Sequence, residues 1–285
     1  MSLRILDVKP RQGARWVSQG FSWLLKKPLP YTSLIAFFLF ACLVLLAVPY
    51  IGALAVLCLL PLLGLGFMIA TRSALEGGSV HVGHLAAPLR ASTPAESARR
   101  LILLRLCGLF AIASAATMLL GDFFDGGSFE RLQILMAATR SPANQAEIDA
   151  VLAEPALRWA MAWRLVVTSL LSIPFWHAPA LVWWHGQGVA QSLFSSWLAC
   201  WRNRGAFAVY GLAWAFTIVL FGLAAGTVFA LLGAPQLVPL AAIPAGLMFS
   251  TAFYVSLYFT FSDSFAAAAA TETEDSQVDG AVPPT

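Results

Sequence analysis

Residues Gly205 to Ser262 form a run of 58 positions without one Asp, Glu, Lys or Arg. Three more such runs occur: Pro28–Thr71 with 44 residues, Leu106–Gly121 with 16 and Leu165–Trp201 with 37. A helix needs about 20 apolar residues to cross about 30 Å of hydrocarbon. Inside lipid every backbone polar group must be satisfied within the protein, so such runs become helices. The whole chain is 59% hydrophobic and only 11% charged. A soluble domain carries about 25% charge, and one of this length hides less apolar surface. Those numbers exclude a soluble enzyme, a disordered chain, a coiled coil and a nucleic-acid binder. They specify an all-α integral membrane protein.

The runs resolve into six spans, at about 32–49, 51–72, 101–120, 160–184, 206–232 and 237–261. Pro49 and Gly52 break the first run, and Gly233 and Pro235 break the last. Pro174 and Pro179 interrupt the fourth span. Residues 1–265 read as one polytopic membrane domain. Residues 266–285, with Glu272, Glu274, Asp275 and Asp279, read as a disordered acidic cytoplasmic tail. Basic residues set the orientation. Arg4, Lys9, Arg11, Arg15, Lys26 and Lys27 precede the first span; Arg72, Arg90, Arg99 and Arg100 surround the loop after the second; Arg202 and Arg204 follow the fourth. The 121–158 segment balances Arg131, Arg140 and Arg158 against six carboxylates. Both termini are therefore expected in the cytoplasm, and 121–158 outside it as a small helical segment. Ser128 and Ser141-Pro142 are its helix starts.

Residues 10–27 and 188–204 read as interfacial amphipathic helices. Each ends in basic residues and leads into a two-span hairpin whose second span carries a proline, Pro61 or Pro244. The spacing predicts an internal repeat of interfacial helix plus hairpin. Thr93-Pro94-Ala95-Glu96 is a capping box that opens the third span. Trp16, Trp23, Trp183, Trp184, Trp197 and Trp201 are expected as interface anchors, with Arg105 and Arg164 reaching headgroups from within their helices.

Little chemistry is visible. No span carries a mid-membrane carboxylate, and no phosphate loop, HExxH or nucleophile elbow occurs. The sequence predicts no catalytic residue, no cofactor and no metal; His81-Val-Gly-His84 lacks a third ligand beside it. Pro61, Gly64, Gly66, Pro244 and Gly246 are candidates for a helix break or a solute site. Gly211, Ala215, Gly222, Gly226 and Ala230 form a small-residue stripe suited to helix packing, first of all inside the chain. Cys42, Cys58, Cys107 and Cys200 fall in spans or at the cytoplasmic side and suggest no disulfide framework.

Pro10-Arg-Gln-Gly13-Ala-Arg-Trp16-Val-Ser-Gln-Gly20, Pro28 and Pro61-Leu-Leu-Gly64 resemble the first half of a family of proteobacterial polytopic inner-membrane proteins. Ala178-Pro179-Ala180-Leu181, Gln191-Ser192-Leu193-Phe194-Ser195-Ser196 and Trp201-Arg202-Asn203 resemble its second half. The resemblance implies a bacterial inner membrane and transfers no catalytic role. The expected function is a non-enzymatic scaffold, regulatory or assembly-assisting membrane protein. The alternative is a channel or transporter for a weakly polar or lipid-like solute. The expected partners are the lipid bilayer and a protein partner or second copy, with no nucleic acid.

Overall fold

Proline and glycine punctuate the chain into its elements. The computed structural model describes residues 3–49, 51–90, 92–137 and 142–267. In order these are β1 (Leu3–Ile5), α1 (Gln12–Lys26), α2 (Pro28–Leu46), α3 (Ile51–Leu75), α4 (Gly83–Ala86), α5 (Pro94–Asp125), α6 (Ser128–Ala137) and α7 (Pro142–Ala153). They continue with α8 (Pro155–Phe175), α9 (Ala178–His185), α10 (Val189–Arg202), α11 (Arg204–Leu231), α12 (Val238–Ser264) and β2 (Phe265–Ala267). Pro28, Pro94, Pro142 and Pro155 each open a helix, where the missing N–H costs nothing. Thr93 Oγ1 accepts from the Glu96 amide at 3.2 Å and Glu96 Oε2 accepts from the Thr93 amide at 3.0 Å, so the capping box forms as expected. The protein is an all-α polytopic membrane protein, and among the described residues six helices are long and apolar enough to span: α2, α3, α5, α8 with α9, α11 and α12.

β1 pairs antiparallel with β2, Leu3 opposite Ala267. This two-stranded clasp brings Leu3–Ile5 and Phe265–Ala267 to one face of the bundle, as an even number of spans between them requires. Ala266 and Ala267 therefore belong to a strand, not to a disordered tail; the remainder of that expected tail lies outside the described residues. On the same face Arg202 grips Asp7 with Nη2 to Oδ2 at 2.7 Å, and this bond holds the Asp7 carboxyl below its ordinary value.

α12 is the hub, packing on α1, α2 and α3. The apolar face of α1 meets protein where the sequence suggested lipid: Trp16, Val17 and Leu24 are buried against α11 and α12. Gly13 and Gly20 make that approach possible: a Cβ on Gly13 would strike the Ala206 carbonyl, and one on Gly20 would lie 2.5 Å from the Ala252 carbonyl oxygen. The element order of the two proposed repeats does recur, but their packing differs. α1 lies on the other unit's hairpin, whereas α10 packs on α8 and α9.

Candidate functional site

The fourth span is broken where prolines weaken it. α8 ends at Phe175 and α9 begins at Ala178, leaving Trp176 and His177 between them. Pro174 has no N–H to give, and Pro179 stands at the start of α9. The freed groups find partners on α10. Ser196 Oγ donates to the Ile173 carbonyl at 3.1 Å and accepts from the His177 amide at 3.0 Å. Thr260 Oγ1 on α12 accepts from Trp176 Nε1 at 3.2 Å and lies 3.2 Å from His177 Nε2. Broken backbone at membrane depth persists only when protein satisfies it, and the Ser196 hydroxyl does so, while Thr260 holds the two side chains at the break. α10 consequently turns its small face inward: Ser192, Ser196, Ala199 and Cys200 are buried, while Trp197 and Trp201 stack outside at 6.0 Å.

Cys200 Sγ lies 4.0 Å from His177 Nδ1, which invites a nucleophile-and-base reading. Burial pushes the Cys200 thiol up to about 12, so it stays protonated at neutral pH. We expect iodoacetamide at pH 8 to label Cys200 at least tenfold more slowly in the folded protein than after denaturation, read by peptide mass spectrometry. Equal rates would show an accessible thiolate.

Beside the break, α8, α10, α11 and α12 enclose a groove of about 830 Å³. Trp176, Phe207, Tyr210, Trp214 and Phe253 form its floor, and Arg204 and Trp201 stand at one end. Ser169, Trp201, Arg204, Gly211 and Ile218 on its rim are exposed, so it opens sideways. The reason is the second hairpin. α11 meets α12 through rings, Trp214 to Phe253 at 5.9 Å and Phe221 to Phe249 at 5.2 Å, and through the Tyr210–Ser256 hydroxyl bond at 2.7 Å. Only 6% of its apolar window is buried, against 44% for α3. The indole N–H of Trp214 is buried without a hydrogen-bond partner among the described residues.

The structure redistributes the residues expected from sequence. Gly211, Gly222 and Gly226 have nothing within 4 Å of a built Cβ, so the small-residue stripe does not pack inside the chain. Gly211 lines the groove instead, and Ala215, Gly222 and Gly226 follow near its face at helical spacing; Ala230, farther round the helix, is exposed. Pro61 and Pro244 break nothing: each lies inside a continuous helix. Pro61 and Gly64 line a separate cavity of about 290 Å³ on the other side of Trp176. Gly66 admits Leu85, whose Cδ2 would lie 2.7 Å from a Cβ there. Pro244 is exposed, and Gly246 lines a third depression with Ile35 and Leu39. Pro61 and Pro244 line no common cavity among the described residues.

The expected anchors also separate. Trp16 is fully buried and donates to Asp263 Oδ2 at 2.8 Å, so it anchors α1 to α12 rather than to lipid. Arg164 does not reach headgroups; its Nη2 donates to Asp122 at 2.6 Å and Asp125 at 2.7 Å. Trp184 lies under Arg72, Trp23 lies under Lys26, and both Trp183 and Trp184 are half-buried. Arg105, Trp197 and Trp201 are exposed. The rings of His81 and His84 stack at 4.0 Å, and burial holds His84 below its ordinary value. Among the described residues no three His, Cys, Asp or Glu are grouped to hold a metal. The broken span, its hydroxyl partners and the groove carried no sequence signal beyond Pro174 and Pro179.

No family model matches the chain, and no solved structure matches it. A probable inner membrane protein of Burkholderia thailandensis is 32% identical over 267 residues, covering 92% of this chain and 94% of that one.

Proposed function

This chain belongs to the family of the Burkholderia thailandensis probable inner membrane protein, and from that premise we propose a non-enzymatic bacterial inner-membrane protein that holds a weakly polar, lipid-like molecule. The observation that carries this reading is the lateral groove of about 830 Å³ between α8 and α11. Its size lies within the roughly 300–1,000 Å³ of small-molecule sites, and its floor is aromatic. The lack of a mid-span carboxylate supports binding over chemistry. Extracting the purified protein and identifying bound apolar molecules by mass spectrometry tests it. A stoichiometric apolar guest that is lost when Ala208→Trp fills the groove is the expected result; protein free of any guest would sink the reading.

The scaffold or assembly reading retains one specific support. α11 exposes Leu212, Phe216 and Leu223 on the side away from the groove, each about two-thirds exposed. Photo-crosslinkers at those positions would capture a partner helix if it is right and only lipid if it is not.

We place both termini in the cytoplasm, because the clasp face carries most of the Lys and Arg of the chain. A reporter fused after Asn144 should then be active only as an extracytoplasmic reporter, and one fused at the C-terminus only as a cytoplasmic one. The reverse pattern at either position overturns this orientation.

A further inference from the structure

We infer that the groove is a site for an anionic glycerophospholipid, with an acyl chain on the aromatic floor and the phosphate on Arg204. This rests on the groove reading above and adds the headgroup class.

The first support is depth. Arg204 and Ile218 on α11 mark the groove's extent, and at about 1.5 Å per residue they lie about 21 Å apart. One leaflet with its headgroup layer is about 20–22 Å, half of a bilayer. The groove is therefore one leaflet deep, which suits a lipid held in its own leaflet and not a path across the membrane.

The second is size. The cavity of about 830 Å³ lies within the roughly 300–1,000 Å³ of small-molecule sites and opens sideways, as an acyl chain needs. Gly211 on the wall widens the space, since nothing lies within 4 Å of a Cβ there.

The third is charge. Arg204 stands exposed at the mouth with its guanidinium 5.6 Å from the Trp201 ring centroid. It makes no ion pair among the described residues, whereas nearby Arg202 is occupied by Asp7. A guanidinium matches phosphate geometry. A tryptophan beside it suits the headgroup layer, and basic pockets between membrane helices bind anionic headgroups.

Native mass spectrometry of the purified full chain, offered phosphatidylglycerol or phosphatidylcholine with the same acyl chains, tests the inference. Wild type should retain phosphatidylglycerol about fivefold more than phosphatidylcholine. Arg204→Gln should bring the two to equality, and Arg105→Gln, outside the groove, should change neither. Gly211→Leu should lower retention of both, with Ala208→Leu at the exposed rim as a second filling variant. Equal retention by wild type, abolished by the filling variants, would overturn the headgroup assignment and leave the groove reading standing. Retention unaffected by either filling variant overturns both.

Discussion

Replacing Trp16 with alanine is expected to destabilise the protein in detergent by about 3–5 kcal/mol and to release α1 from the bundle. The ring is fully buried, packs on Phe207 at 5.3 Å and Tyr210 at 5.8 Å, and donates to Asp263 Oδ2. Alanine removes the packing and the donor together. Phenylalanine keeps most of the packing but leaves Asp263 with Gln12 as its remaining donor, 2.7 Å away. The loss should then be smaller, about 1.5–3 kcal/mol for a hydrogen bond to a charged group. Denaturant melts should therefore rank wild type above Trp16→Phe and Trp16→Phe above Trp16→Ala. Proteolysis near Arg11 and Arg15 should accelerate in the same order. An alanine variant that melts with wild type would mean that this ring does not dock α1.

The second large effect lies at the opposite face. Arg164 ties α8 to α5 through Asp122 and Asp125, and Gly121 leaves room for it, since a Cβ there would lie 2.6 Å from Arg164 Nε. The Asp125 side chain is only 1% exposed and that of Arg164 15%, so solvent screens this pair weakly. Asp122 is 59% exposed and adds little. Arg164→Met strands the buried Asp125 carboxylate, which should cost about 3–5 kcal/mol. Combining it with Asp125→Asn should recover much of that loss, because the amide carries no charge to strand and still has an oxygen for the Gly127 amide. A double variant no more stable than Arg164→Met would show that the charge pair is not the source of the effect.

Both sites show how far the sequence could be read. The spans, the capping box and the helix starts at Ser128 and Pro142 were legible because each depends on local chemistry: twenty apolar residues, a Thr-to-Glu spacing, a serine or proline at a helix start. The roles of Trp16 and Arg164 were not legible. A tryptophan among basic residues at a helix face and an arginine near a span end are the pattern of interface anchors. Nothing local records that Asp263 lies 247 residues from Trp16, or Asp125 39 from Arg164, as hydrogen-bond partners. The same limit applied to the prolines. Sequence marked Pro61 and Pro244 through their matching places in two hairpins, but the break occurs at Trp176–His177, where Ser196 receives the freed backbone groups.

By itself the sequence determined that this is a six-span, all-α membrane protein. Charge-free length leaves the backbone no other way to satisfy its hydrogen bonds in lipid, and that requirement is met residue by residue along the chain. The tertiary structure decided where the bundle is closed and where it is open. Small residues permit close approach but do not compel it. Gly13 and Gly20 bring α1 onto α11 and α12, while Gly211, Gly222 and Gly226 face open space. Which glycines become contacts depends on where the opposing helix lies, and that position is set by ion pairs, hydroxyl bonds and rings distant in sequence. The groove beside α11 is the consequence.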